Sequence, residues 1–312
     1  MSKYAFGVDV GGTTVKLGLF DKEGNVLDKW EIPTNKANKG EAILPDIAKS
    51  ILAKMDEKGI KEEDLAGIGL GAPGAVDDNG TLVGGAVNIG WEPFNIPDAI
   101  HAYINVPVKA ANDANAAAFG EMWQGGGKGY NNMVAVTLGT GVGGGIIING
   151  RLLSGATGAG GEIGHIHMED NETEECGCKN KGCLEQYASA TGIVRLARRR
   201  LAEDDKPSVL RGEELSAKAV FDAVKAGDGV AIEIANRFGE YLGKGLAIVA
   251  GVVNPEIFVI GGGVSKAGDI LLSFVEPVFQ KYAFQQCRGA KFALAKLGND
   301  AGIFGAAGLI LR

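Results

Sequence analysis

Positive charge, long apolar runs, proline and cysteine are all scarce in this chain, and each shortage removes a class of protein. Lysine and arginine number 31 against 38 aspartates and glutamates, so a formal net charge of -7 offers no global attraction to nucleic acid. The one basic run, Arg198 to Arg200, falls on an otherwise amphipathic helix and reads as a solvated face. No segment reaches the roughly 18 to 20 apolar residues of a membrane span. The longest, Gly245 to Val253, stops between Lys244 and Asn254-Pro255. Asp9 interrupts the apolar run Tyr4 to Val10 and no small-residue cleavage site follows, so no signal peptide is expected and the cytoplasm is the expected compartment. With 9 prolines beside 50 glycines, the chain is neither collagen, which needs glycine at every third position, nor a Pro/Gly-rich disordered polymer. A P-loop is also missing, since no Gly-x4-Gly-Lys-[Ser/Thr] occurs. Of only 4 cysteines, Cys176, Cys178 and Cys183 lie close together and Cys287 stands alone, a clustering that suggests metal before disulfides.

What is present is a globular composition: 312 residues, 46% hydrophobic and 22% charged, enough for one large domain or two ordinary ones. Tyr4 to Val10, Thr14 to Phe20 and Val26 to Ile32 read as an antiparallel meander turned at Asp21 to Asn25. Pro45 to Lys58 carries Ile47, Ile51, Leu52 and Met55 at helical spacing, with Gly59 as the stop. Leu65 to Leu70 and Val106 to Ala110 read as strands, Ala114 to Trp123 as an alanine-rich helix and Met133 to Leu138 as another strand. The opening is then repeated. Val8-Asp9-Val10-Gly11-Gly12-Thr13 aligns with Val136-Thr137-Leu138-Gly139-Thr140-Gly141, and in both copies a strand, a Gly/Thr turn and a second apolar strand follow in order. Helices are expected over Ile193 to Ala202, Glu214 to Ala226 and Val230 to Val253, a buried strand over Ile257 to Ile260, a helix after Gly261-Gly262-Gly263, a last strand over Phe292 to Leu297 and a terminal helix from Ala301. The expected plan is two α/β lobes, 1–111 and 112–300, each with a mixed sheet, and a final helix, 301–312, returning to the first lobe.

Asp9-Val10-Gly11-Gly12-Thr13-Thr14 puts a carboxylate at a strand end, then two residues without a Cβ and two hydroxyls. Backbone N–H groups and hydroxyls of such a turn can approach phosphate closely, the carboxylate can hold Mg²⁺ through water, and Lys16 can reach the same anion. An ordinary hairpin needing glycine's positive φ explains the same residues. The second copy, with Gly139, Thr140 and Gly141, repeats the chemistry, and Gly262 and Gly263 after a buried strand fit either nucleotide packing or a strand-helix turn. Asn112-Asp113 joins a strand to a helix, where either residue can be an N-cap or a carboxylate can be a general base. Cys176, Cys178 and Cys183 with one histidine fit a tetrahedral structural zinc; His165 and His167 compete for the fourth place on spacing alone. With His165, Glu162 and Glu185 would gather around the metal loop and face a hydroxyl-rich ligand.

Taken together, Asp9-x-Gly-Gly-Thr13, Gly71-Ala-Pro-Gly74, Asn112-Asp113-Ala-Asn115, Leu138-Gly-Thr-Gly141, Gly161-Glu-Ile-Gly-His165, Cys176-x-Cys178 with Gly182-Cys183-Leu-Glu185, and Gly261-Gly-Gly263 resemble the ROK family of sugar kinases and related repressors, essentially end to end. The resemblance implies an actin-like/hexokinase ATPase fold, with two lobes closing on ATP and sugar across a cleft. It implies Asp113 as the base for the sugar 6-hydroxyl, and Asn112, Glu162, His165 and Glu185 as sugar ligands with Gly74 and Asn88 as neighbours. It implies ATP, Mg²⁺ and a structural zinc held by His165 rather than His167, and a homodimer or homotetramer. One departure stands out: Lys179 occupies the place after Cys178 where the family has glycine, so the turn there must tolerate a side chain or carry strain. ROK repressors carry a DNA-binding helix-turn-helix ahead of these motifs, and no room for one is expected before Asp9. The resemblance of the Gly-Glu-Ile-Gly-His and Cys-Leu-Glu-Gln-Tyr-Ala-Ser segments to the family's glucose-phosphorylating members favours glucose over fructose, N-acetylmannosamine, N-acetylglucosamine or allose, and the presence of Asp9, Lys16 and Asp113 favours a kinase over a sugar sensor without turnover.

Overall fold

The computed structural model describes residues 3–212 and 214–312. In chain order the elements are β1 (Tyr4–Val10), β2 (Thr14–Asp21), β3 (Val26–Pro33), a distorted turn α1 (Ala37–Gly40), α2 (Ile43–Lys58), β4 (Leu65–Ala72), β5 (Thr81–Leu82), β6 (Phe94–Asn95), α3 (Ile96–His101), β7 (Val108–Asn112), α4 (Asp113–Gln124), β8 (Met133–Leu138), β9 (Val142–Ile148) and β10 (Arg151–Leu152). Then follow α5 (Glu185–Ala188), α6 (Ala190–Glu203), α7 (Ala217–Lys225), α8 (Gly229–Val253), β11 (Ile257–Gly261), α9 (Ile270–Tyr282), β12 (Lys291–Leu294) and α10 (Ala301–Leu311). No described helix is long and apolar enough to cross a membrane.

The chain parts into two compact units. The first runs to Gly129 and adds Gly145–Gly161 and Lys296–Arg312; the second is Tyr130–Gly144 with Glu162–Ala295. The expected division at 111 and 112 differs from this one because α4 packs on α10 and the first sheet, which draws the segment up to Gly129 into the first unit.

The two sheets have the same plan. One is ordered β3-β2-β1-β4-β7 and the other β10-β9-β8-β11-β12, so the duplication visible in the glycine-threonine hairpins extends through ten strands. In the first sheet β1 pairs antiparallel with β2 and parallel with β4, which pairs parallel with β7. One face is packed by α2 and α3: Phe6, Val8, Val10, Leu17 and Leu19 lie buried against Ile43, Ile47, Ile51 and Ile100. In α2, Gly59 closes the helix at φ 65°, a left-handed cap that glycine adopts without strain.

The opposite face of the first sheet receives α10 and α4 at backbone distance. A Cβ on Gly7 of β1 would overlap the Ile303 carbonyl oxygen, and one on Gly69 of β4 would overlap that of Ala306. These two glycines are register partners, so the sheet presents α10 with a strip free of side chains. Where α10 crosses α4 the same happens: a Cβ on Gly305 would overlap the Ala116 carbonyl, and one on Gly120 the Ala301 carbonyl. Helix α10 therefore accepts Gly302, Gly305 and Gly308 in an 11-residue helix, each costing roughly 1 kcal/mol of intrinsic propensity against alanine.

In the second unit α6, α7 and α8 pack on one another and α8 packs along α9. Its capping is conventional: Ser189, Ser216 and Asp228 accept from the third residue onward in α6, α7 and α8. The helix expected from Glu214 begins at Ala217 because Ser216 caps it. The strand expected to reach Leu297 ends at Leu294, since the Lys296 and Leu297 N–H groups donate to the buried Glu121 carboxylate at 2.8–3.1 Å and so leave the ladder.

Gly305→Ala should separate packing from propensity. Helix propensity alone predicts a gain of about 1 kcal/mol, whereas overlap with the Ala116 carbonyl predicts a net loss of about 2 kcal/mol or more, measurable by urea unfolding.

Candidate active site and metal centre

In the first unit the carboxyl ends of three neighbouring parallel strands come together. The register pairs Asp9 with Gly71 and Ala72 with Asn112, so Asp9 and Asp113 emerge on either side of β4. Open α/β sheets present ligand-binding groups at such strand ends. Asn112 takes the capping role: its Oδ1 accepts from Ala114 N at 2.9 Å and Asn115 N at 3.2 Å, while its Nδ2 donates to Gly74 O at 3.0 Å. Asp113, the first residue of α4, accepts from its neighbour Ala114 N at 2.8 Å through Oδ1. The capping role at this turn thus falls to Asn112.

Both carboxyls are half-buried and titrate above the usual range. Burial pushes Asp113 up, against its hydrogen bonds from Ala114 and Asn112. Asp9 is raised to about 6, first by burial and then by the charge of Asp113, with Lys16 opposing. Lys16 sits across the hairpin from Asp9 in register and donates to Asn299 O at 3.0 Å. The first turn of α10 lies directly on Asp9, and only the missing side chain of Gly302 leaves space for its carboxylate. The hairpin tip is closed by Gly11 N to Thr14 O at 3.1 Å and braced by Thr34, which donates Oγ1 to Gly11 O at 2.7 Å and N to Thr13 O at 2.9 Å. Thr13 is exposed, and the nearest group facing Gly12 is the amide of Asn88, which is itself exposed. Asn88 therefore lies beside the first hairpin, while Gly74 lies beside Asn112.

In the second unit the hairpin Gly139–Gly141 is closed by Gly139 N to Gly141 O at 3.0 Å and tied to the start of α6 by Ala190 N to Gly139 O at 2.8 Å and Thr191 Oγ1 to Thr140 O at 2.7 Å. A side chain on Gly139 or Gly263 would meet open space, whereas Gly262, at φ 84°, lies against the Leu138 backbone. Gly262 is thus required by packing in its own right. Gly141 has a different purpose: a Cβ there would occupy the position of Glu185 Oε2, which accepts from Val142 N at 3.0 Å. The second hairpin holds the carboxylate of Glu185.

His165, Cys176, Cys178 and Cys183 bring their ligand atoms within 4.8 Å of one another. Cys178 and Cys183 Sγ are 3.6 Å apart, and Cys176 Sγ is 3.7 Å from His165 Nδ1. With zinc–sulfur bonds of about 2.3 Å, a tetrahedron spaces its vertices roughly 3.5–3.8 Å apart, so number, type and spacing of donors all suit one zinc. His165 turns Nδ1 to the thiols and Nε2 toward Glu162, 3.9 Å from its Oε2. His167 is committed elsewhere, with Nδ1 against Lys181 O at 3.0 Å and Nε2 against Asp170 at 2.8 Å. Lys179 adopts φ 73°, so the loop keeps the left-handed turn and carries the strain of a side chain in it.

Periodicity and motif spacing pass over one further group. Glu172, seven percent exposed, receives the Tyr187 hydroxyl, Arg195 Nη2 at 2.6 Å and Arg199 Nη2 at 3.2 Å. Against the opposing effect of burial, these bonds hold its carboxyl far below the ordinary range. Tyr187 shares α5 with Glu185 and stacks on Tyr241 of α8 at 4.0 Å, so this cluster clamps the cysteine loop to α6 and α8. A glutamate in a polar loop reads as solvated until the arginines of α6 are placed around it.

A protein-family model described as the ROK family matches residues 5–312. The chain is 44% identical to a glucokinase of Halalkalibacterium halodurans, with 99% of this chain and 95% of the relative covered. Among solved structures, the ROK hexokinase of Thermus thermophilus superposes with a TM-score of 0.81 at 31% identity, covering 97% and 96% of the two chains. A ROK family glucokinase of Streptomyces griseus in complex with glucose and AMPPNP superposes with a TM-score of 0.72 at 33% identity, covering 98% of each. The duplicated sheets are those of the actin-like ATPase fold, and the chain belongs to the ROK family.

Proposed function

We propose that this protein phosphorylates glucose at its 6-hydroxyl with ATP, giving glucose 6-phosphate and ADP. The observation that carries the reading is the Asn112-Asp113 pair: the amide caps α4, and burial raises the carboxyl beside it at a strand's carboxyl end, as suits a general base. Relatives named glucokinase over nearly the full length support the substrate. Asp113 accepts the O6 proton as O6 forms its bond to the γ-phosphorus and the bond to the β,γ-bridging oxygen breaks, leaving ADP. Gly11, Gly12, Thr13, Thr14, Lys16, Gly139, Thr140 and Gly141 would line the phosphates, and Gly263 would face the nucleotide together with Gly262. Asp9 would hold Mg²⁺ through water, and that ion would neutralise charge on the phosphates. Its raised titration range suits a carboxylate whose ionisation awaits a cation.

For the sugar, Glu162, His165 and Glu185 would accept hydroxyls, with Asn112, Gly74 and Asn88 as neighbours. A structural zinc on His165 Nδ1 and the three thiolates would fix the loop and leave Nε2 for the sugar. The assembly expected is a cytoplasmic homodimer or homotetramer.

Two assays test the reading. Asp113→Ala should lower kcat on the order of 10²–10⁴-fold with KM for glucose changed only a few-fold. In the wild type, kcat/KM should fall as pH drops through the raised range of Asp113 and should be higher for glucose than for fructose, N-acetylmannosamine, N-acetylglucosamine or allose. A fully active Asp113→Ala removes the base, and preference for another hexose removes the substrate. Metal analysis should return about one zinc per chain, and chelation should raise KM for glucose; active protein without zinc contradicts the metal assignment.

A further inference from the structure

The first unit contains a cavity of about 700 Å³ whose lining includes neither Asp9 nor Asp113. Its walls are β7, the outer strand of the first sheet, the turn Asp77 to Gly80, the hairpin Asn149-Gly150 leading into β10, and the end of α10. Pockets of about 300–1,000 Å³ suit small metabolites.

Its lining carries three cationic side chains and two carboxylates. Arg151 and Arg312 are the first unit's two arginines, and both line this cavity with Lys109. In the second unit several guanidinium groups are paired with carboxylates: Arg195 and Arg199 hold Glu172, Arg200 holds Asp204, and Arg237 holds Glu203. Among the described residues no carboxylate pairs with Arg151 or Arg312. Of the two acids in the wall, Asp77 is used by its own turn, accepting from Asn79 N at 2.9 Å and Thr81 N at 2.8 Å, and Asp78 is exposed. Lys109 Nζ is anchored on Leu309 O at 2.6 Å, which fixes a third positive charge at the end of α10. Two unpaired planar forks and a fixed ammonium around one cavity are the donor set for a multiply charged anion.

We propose that this cavity binds a small metabolite carrying phosphoryl or clustered carboxylate groups, and that its occupancy adjusts sugar binding. The coupling follows from the wall: Ala110 and Ala111 of β7 run directly into Asn112 and Asp113, and Asp77 to Gly80 follow Gly74, whose carbonyl holds Asn112. The second half of the proposal rests on the kinase reading above; the first half does not.

The test is calorimetric titration of pyrophosphate, and separately of citrate, into full-length protein saturated with glucose and a non-hydrolysable ATP analogue, so that the catalytic phosphate groups are already engaged. At least one probe should bind saturably, with affinity lowered 10-fold or more in Arg151→Gln and further in Arg151→Gln/Arg312→Gln. Both side chains are exposed, so the variants should melt with the wild type and keep its basal turnover. Arg151→Lys, which keeps charge and loses the fork, should restore only part of the affinity. The stronger probe should change KM for glucose at least two-fold in the wild type and leave it unchanged in the double variant. No saturable binding, or binding indifferent to both arginines, overturns the site. Arginine-dependent binding without a change in KM overturns the coupling. Arginine-dependent binding by a protein without turnover sustains the site and removes the kinase reading instead.

Discussion

Everything in the first unit depends on α10 lying against the sheet and α4 with almost no side chains between them. Gly7 and Gly69 clear the sheet, Gly120 clears α4, and Gly302 and Gly305 clear α10 itself. Backbone contact of this kind is paid for in helix propensity and unfolded-chain entropy, and it returns dispersion contacts at crystal-like density. Its effect is positional. The start of α10 rests on Asp9 and its middle rests on α4, so one helix sets the distance between the strand end bearing Asp9 and the helix bearing Asp113.

That placement creates the electrostatics. Two half-buried carboxyls at the strand ends on either side of β4 do not ionise independently, and both are raised, Asp9 to about 6. The sign for stability is unfavourable at neutral pH. A carboxyl that binds its proton more tightly folded than unfolded loses stability as pH rises from its ordinary range near 4 to about 6, and the loss persists above. A divalent cation held at Asp9 would offset that loss. In the second unit an analogous economy operates with Glu185, which shares contacts with the second hairpin through Val142 N and with the cysteine cluster through Cys176. The Glu185 carboxylate is thereby fixed from two sides, and the Glu172 clamp fixes its helix from a third.

Local signals carried the sequence reading far. The meander β1 to β3, the Gly59 stop, the repeated hairpin and the cysteine cluster each depend on residues close in the chain, and each lies where spacing puts it. Spacing left Asn112 against Asp113 and His165 against His167 open; hydrogen bonds separate them, because Asn112 caps and His167 is engaged by Lys181 and Asp170. What stayed hidden involves partners far apart in sequence. The 50 glycines read as turns and ligand approaches, and 11 of them do fall from Gly139 to Gly164. Gly7, Gly69, Gly120 and Gly305 answer instead to a helix that the chain reaches last, and Gly141 answers to Glu185. The buried Glu172 is equally invisible until α6 brings Arg195 and Arg199 beside it.

The central claim is that α10 and the parallel strands force Asp9 and Asp113 into one partly dry site. The most direct measurement is a carboxyl ¹³C NMR titration of Asp9 in the metal-free wild type and in Asp113→Asn. The account predicts a wild-type midpoint of about 6 that falls in the variant yet stays above 3.8, because burial remains when the neighbouring charge is gone. A wild-type midpoint in the ordinary aspartate range, or one indifferent to the loss of Asp113's charge, would contradict it.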